Sequence, residues 1–223
     1  MLKHMKLTLA FAAALGLVAC SSTGENKNPL LSIKALPAML SNKRPAPPVV
    51  TAEQITSVLA ATDRPNSIFV IENTAAQLIL VELQRNGPYQ TYGSSARQAI
   101  VLRNGKIVST RGFGGDLMSS DEGGLLSLVR SRSVGTTSYT LRHLTSDNQT
   151  TVSTFTCKLD AGQTLPVVSG EVNRKGRVMT ATCKDANRSF TNTYVVDGGG
   201  NIISGRQWLG DVLGYFNVQP LRI

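Results

Sequence analysis

From Asn66 onward the chain reads as short β-prone runs cut at close intervals by turn residues, and this pattern limits the fold more than any other feature. SIFVIEN and AQLILVELQRNG lead the series, and Arg85-Asn86-Gly87-Pro88 turns the chain. RQAIVLRNGKIVSTRGF then holds two strands around Asn104-Gly105, the strongest short hairpin signal. TSYTLRHLT, TVSTFTCKLD, LPVVSGEV, RVMTATCKD, SFTNTYVVD and NIISGRQWL continue it, with Gly198-Gly199-Gly200-Asn201 as a further hairpin turn. Strands spaced about eight to twelve residues apart predict an all-β fold, an antiparallel β-sandwich or open barrel of about 9–12 strands. Two helices interrupt the pattern. Thr51 and Gln54 form a capping box before an apolar stripe of Ile55, Val58 and Leu59, which predicts a short N-terminal helix over Ala52–Ala61. Leu125, Leu126 and Val129 predict a second within Asp121–Arg132, with Asp121 as its cap.

The residues before Thr51 have another character. Lys3 and Lys6 precede an apolar run, Leu7 to Val18, about half the length of a membrane-spanning helix. This is the pattern of a secretory signal. Its end, Leu17-Val18-Ala19-Cys20, fits a bacterial lipobox, in which cleavage leaves Cys20 to carry a diacylglycerol thioether and usually an N-acyl chain such as palmitate. Two or more acyl chains anchor firmly, at about 0.8 kcal/mol per buried CH₂. Ser21 and Ser22 come next, where an aspartate would signal inner-membrane retention. The expected location is therefore the outer membrane, lipid-anchored, on its periplasmic face. Residues 1–19 read as signal peptide, 20–50 as lipid anchor and proline-broken flexible tether, and 51–223 as one all-β domain. The strands carry no aromatic girdles, which argues against a membrane-embedded barrel.

That compartment interprets the cysteines and the charge. With Cys20 lipidated, Cys157 and Cys183 remain, an even pair in an oxidising space, and a disulfide is the natural reading. No metal or cofactor is expected: there is no CxxC, and His143 is the only histidine after the signal. Without Lys3 and Lys6 the formal charge falls from +9 to +7. Such a balance suits an acidic polysaccharide or lipid headgroups, or is a solvated surface with no partner. Nucleic acid is not an expected partner in the periplasm.

One acidic stretch stands out in this basic chain: GFGGDLMSSDEGG, residues 112–124. It lacks the Lys-Ser/Thr of a phosphate-binding loop and the spacing of an EF-hand. Asp116 with Asp121 or Glu122 offers a carboxylate pair for glycan hydrolysis or transfer. The plainer alternative is that a strand ends at the glycines and Asp116 or Asp121 caps the next element.

Asn104-Gly105-Lys106-Ile107-Val108-Ser109-Thr110-Arg111-Gly112-Phe113-Gly114-Gly115-Asp116-Leu117 resembles the core motif of the YjbF/GfcB lipoproteins. Tyr194-Val195-Val196-Asp197 with Gly200-Asn201-Ile202-Ile203-Ser204-Gly205-Arg206-Gln207-Trp208-Leu209-Gly210 is similar to that family's closing motif, with Val195 where an aromatic residue is common. The resemblance spans roughly residues 50 to 223. It implies an all-β, lipid-anchored protein linked to group-four capsule and exopolysaccharide export, without catalytic residues to carry over. Within the two motifs, Arg111, Phe113, Asp116, Arg206, Gln207 and Trp208 are the candidate residues for contact with glycan or an export partner. Aromatic rings stack on sugar faces, while Arg and Gln bond hydroxyls and carboxylates. Three functions are expected to compete: a non-catalytic accessory lipoprotein of polysaccharide secretion, a glycan-active enzyme, and an envelope scaffold pairing through edge strands.

Overall fold

The computed structural model describes residues 47, 49–145, 147 and 149–223. The expected signal peptide, the expected lipidation site Cys20 and most of the expected tether lie outside these residues. The described chain opens with helix α1 (Ala52–Ala61). Six strands come after it: β1 (Asn66–Ile71), β2 (Ala76–Asn86), β3 (Tyr89–Gly93), β4 (Ala99–Arg103), β5 (Lys106–Arg111) and β6 (Leu117–Asp121). Helix α2 (Leu125–Ser131) leads to β7 (Gly135–Leu144), β8 (Thr150–Ser169), β9 (Val172–Lys184), β10 (Ser189–Asp197), β11 (Ile202–Trp208) and β12 (Tyr215–Arg222).

The twelve strands form one sheet in the order β5-β4-β3-β2-β1-β12-β11-β10-β9-β8-β7-β6. Every paired neighbour is antiparallel. The sheet thus curls into a nearly closed barrel rather than splitting into a sandwich, and its two edge strands, β5 and β6, are consecutive in sequence. Alternation fixes which side faces in. On β8, Phe155, Cys157 and Leu159 are buried while Thr154, Thr156, Lys158 and Asp160 are exposed. Phe69, Leu80, Ile100, Leu117, Leu141 and Phe216 fill the centre with Phe155 and Tyr194. Apolar side chains inside and threonine and lysine outside reverse the arrangement of a membrane barrel.

Local sequence explains the joints. Asn104 and Gly105 both have positive φ, 49° and 85°, as a two-residue hairpin turn requires. Both halves of the Thr51–Gln54 capping box are formed at α1. Cys157 and Cys183 face one another across β8 and β9 and form a buried disulfide.

Three expectations need correction. Helix α2 begins at Leu125 rather than near Asp121, and Gly124, not Asp121, stands at its N-cap. Asp121 ends β6 and accepts the Gly123 amide (3.1 Å), because extended pairing with Thr140 holds it in the sheet. LPVVSGEV is two strands: Ser169 and Val172 pair across a turn at Gly170-Glu171. TVSTFTCKLD and LPVVS instead belong to one long strand with a bulge between Ala161 and Thr164. A bulge bends its strand. Past Gly176, where pairing with β10 ends, β8 and β9 continue as a two-stranded arm whose tip reaches β12, where the Glu171 amide donates to the Leu221 carbonyl (2.8 Å).

Candidate functional site

In a meander of antiparallel neighbours the turns alternate between the two ends of the barrel. One end carries Asn104-Gly105, Gly170-Glu171, Gly198–Asn201 and helix α2, and is the turn end. The other carries Gly112–Asp116 and the β11–β12 connection, and is the loop end.

The acidic stretch runs along the seam between the edge strands. No backbone ladder joins β5 to β6, so side chains hold them together. Ser109 donates to the Leu117 carbonyl (3.1 Å), and the Leu117 amide donates to Thr110 Oγ1 (3.0 Å). Asp116 closes the loop, accepting from Thr110 Oγ1 (2.9 Å) and from the amides of Gly112 (2.8 Å) and Phe113 (3.1 Å). Gly112, Gly114 and Gly115 all take positive φ, which lets so short a loop turn between the edges.

At the far end of β6 Glu122 performs a different task. It is 3% exposed and accepts from Arg103 Nη1 and Ser120 Oγ, both at 2.7 Å. Beside it lies Lys106, fully buried, whose ammonium donates to Tyr139 Oη and to the Ile107 carbonyl, each at 3.0 Å, and stands 3.9 Å from Glu122. Burial pushes the Lys106 ammonium down to about 8, against the pull of Glu122. Burial likewise pushes the Tyr139 and Tyr194 hydroxyls up. The Ile107 amide finds Gln207 Oε1 (3.1 Å), so a side chain from β11 occupies a free donor of the edge strand. Asn192 Nδ2, Tyr194 Oη and Gln207 Nε2 are buried without a partner among the described residues, sites of the kind that buried water fills.

This geometry separates the proposed carboxylate pair. Asp116 precedes β6 and Glu122 comes after it, and six extended residues at about 3.3 Å each place their Cα atoms roughly 20 Å apart. Asp121 is one residue nearer. Glycosidase carboxylates stand only about 5–10 Å apart.

The six residues singled out from the motifs share the loop end or the strands leading to it. Arg111 is exposed and, with Asp116, His143, Asp211 and Val212, lines a cleft of ≈ 810 Å³. His143 Nε2 donates to the Leu209 carbonyl (2.6 Å) under the β11–β12 turn. Phe113 packs edge-on against Phe216, with ring centroids 5.5 Å apart. Arg206 is bound twice by Glu72, at 2.7 Å each, and lies over the Tyr215 ring. The Arg206 bonds hold the Glu72 carboxyl below its usual range. Gln207 is buried at the seam. Trp208 leaves the β10–β11 ladder, gives its amide to Asn192 Oδ1 (2.7 Å) and stacks on Phe190 at 4.4 Å. Of the six, only Arg111 carries its charge outward with no carboxylate partner among the described residues.

Two groups that sequence reasoning missed lie toward the turn end. Lys106, Tyr139 and Glu122 form the buried cluster, which the sequence shows only as a lysine at an alternating strand position. Lys175 and Arg177 on β9 and Arg132 after α2 line a cleft of ≈ 490 Å³. The run Asn173-Arg174-Lys175-Gly176-Arg177 was its available signal.

The fold has a structural relative. A crystal structure of the hypothetical lipoprotein YmcC from Escherichia coli K12 aligns with a TM-score of 0.65 at 14% identity, covering 89% of this chain and 98% of that one. At that identity the likeness concerns the fold alone. No curated protein matches the chain. Over residues 33–221 it matches the family described as group 4 capsule polysaccharide lipoprotein GfcB, YjbF. The motif at the seam, the closing motif that reaches it through Gln207, and a match over most of the chain agree, and the protein belongs to the YjbF family of group 4 capsule polysaccharide lipoproteins.

Proposed function

We propose that this protein is a non-catalytic accessory factor in capsule or exopolysaccharide secretion, held by lipid on Cys20 at the periplasmic face of the outer membrane. Residues 1–19 are its signal, 20–50 its anchor and tether, and 51–223 its working domain. It handles the acidic glycan chain or a protein of the export apparatus. The observation that carries the non-catalytic part is the division of labour along β6: Asp116 is spent on loop amides and Glu122 on Arg103 and the buried Lys106, at opposite ends of a strand. Family membership supports the link to capsule. The scaffold alternative finds less support, because side-chain bonds between β5 and β6 occupy the two edges of the sheet.

The test is incubation of the purified full chain with surface polysaccharide from its own bacterium, then calorimetry and size analysis of the polymer. Binding with an unchanged polymer length is the expected result. Shortening of the polymer would overturn the non-catalytic reading. Absence of binding would move the role to protein partners.

A further inference from the structure

The acids of the loop end are spent internally, and the turn end gathers three cations in one cleft. Arg132, Lys175 and Arg177 converge from two elements, the end of α2 and the base of the β8–β9 arm, and line one cleft with Thr164, Gly176 and Gly198. None of the three has a carboxylate partner among the described residues. Glu171, the nearest acid in sequence, is bonded by Arg222, and Asp197, which pairs with Gly176 across β9 and β10, is already saturated. Arg174 bonds it at 3.0 Å, and the amides of Gly199 and Asn201 each reach it at 2.9 Å. The cleft is therefore cationic, with its adjacent anion neutralised.

The site is also built rather than merely exposed. Arg177 Nε donates to the carbonyl of Gly162 (3.2 Å), inside the bulge that bends the arm. This bond fixes the guanidinium base and leaves its outer nitrogens for a ligand. Gly176 lies between Lys175 and Arg177 on β9, and a Cβ there, on the opposite face of the strand, would meet Val195 Cγ1 at 2.8 Å and the Val196 backbone at 3.0 Å, so β9 packs closely on β10 beneath the two cations. Arg132 takes the left-handed position that ends α2, φ 56°, where glycine is usual. At ≈ 490 Å³ the cleft falls among ligand pockets, roughly 300–1,000 Å³. Planar guanidinium groups suit carboxylates in bidentate contact.

We infer that the cleft between the β8–β9 arm and the end of α2 binds the carboxylate-bearing sugars of an acidic polysaccharide, through Arg132, Lys175 and Arg177. This rests on the secretion role proposed above and gives its ligand and site. The polymer lies over the turn end, leaving the loop end to fold stability.

The probe is an oligogalacturonate, a chain of uronic acids, titrated into the full protein at low and at physiological salt. A neutral dextran oligomer and phosphatidylglycerol vesicles serve as the other arms. The wild type binds oligogalacturonate, more weakly with salt, and leaves dextran unbound. K175Q/R177Q weakens binding tenfold or more and flattens its salt dependence, R132Q weakens it severalfold, and R111Q at the loop end leaves it within twofold. All three cleft residues are at least partly exposed, and an unchanged melting temperature checks that the variants fold. Equal affinity in K175Q/R177Q and wild type would overturn this site while leaving an acidic-glycan role intact. No binding of oligogalacturonate at low salt would overturn both. Vesicle binding that depends on the same residues, without oligogalacturonate binding, would assign the cleft to lipid phosphate and overturn the inference.

Discussion

The two ends of the barrel carry similar kinds of residue and use them differently. At the loop end each acid has an internal partner: Asp116 holds backbone amides, Glu72 holds Arg206, and Asp185 and Asp211 hold Arg188. At the turn end one buried set, Lys106 with Glu122 and Tyr139, is sealed in the interior, and a second, Arg132 with Lys175 and Arg177, lines a cleft without a carboxylate partner among the described residues. A charge-rich stretch is thus no guide to a site until its partners are known. The acidic loop, prominent in the sequence, closes a barrel.

The strongest way to break this contrast is to treat Asp116 and Glu122 alike. Glu122→Ala leaves Lys106 buried with no anion and should cost about 3–5 kcal/mol in urea unfolding. Asp116→Ala frees two amides of a partly exposed loop and should cost only about 1–2 kcal/mol. Equal losses would mean that the two carboxylates do the same work. The disulfide comes next in size. Replacing Cys157 and Cys183 together by alanine removes a covalent closure of about 27 residues, worth roughly 3.5 kcal/mol in the chain-entropy model. A denaturant midpoint unchanged by that replacement would contradict it.

Titration sharpens the contrast further. Lys106 holds its proton to about 8 in the folded protein, against an ordinary 10.5 in the unfolded chain. Between those values the unfolded chain binds more protons, so stability rises with pH. The burial penalty is fully present below pH 8, is relieved on the way to 10.5, and amounts to about 3 kcal/mol. Tyr139 and Tyr194 act in the opposite sense above pH 10, because their raised values let the unfolded chain lose protons first. Denaturant midpoints should therefore climb from pH 8 toward 10 and then fall, and Lys106→Met should flatten the climb. A flat wild-type profile would show that the lysine is not buried as described. The smallest expected effect is that of R111Q, within about 0.5 kcal/mol as for surface changes generally.

Much of the fold was legible because its signals are local. Alternation along β8 and β10, the Asn104-Gly105 turn and the Thr51 capping box each depend on residues a few positions apart. The second helix was misplaced at its start because pairing between Asp121 and Thr140, a tertiary contact, overrides a capping preference. The hairpin at Gly170 was hidden because Ser-Gly-Glu is a weak turn signal inside an apolar run. The candidate site was harder for the same reason. Residue type alone makes Gln207 and Trp208 candidates for sugar contact; only the fold shows that Gln207 reaches Ile107, one hundred residues away, and that the half-buried Trp208 stacks on Phe190. Conversely, Arg132 and Lys175 lie 43 positions apart in sequence, and only the bulge at Gly162 and the arm it bends bring them to one cleft.

Hydrogen exchange of the full protein with and without oligogalacturonate tests the division between the ends most directly. The account predicts added protection at the arm, residues 174–177, and around Ser131–Ser133, with residues 111–116 unchanged. Protection confined to residues 111–116 and 206–213 would contradict it and return the ligand to the loop end.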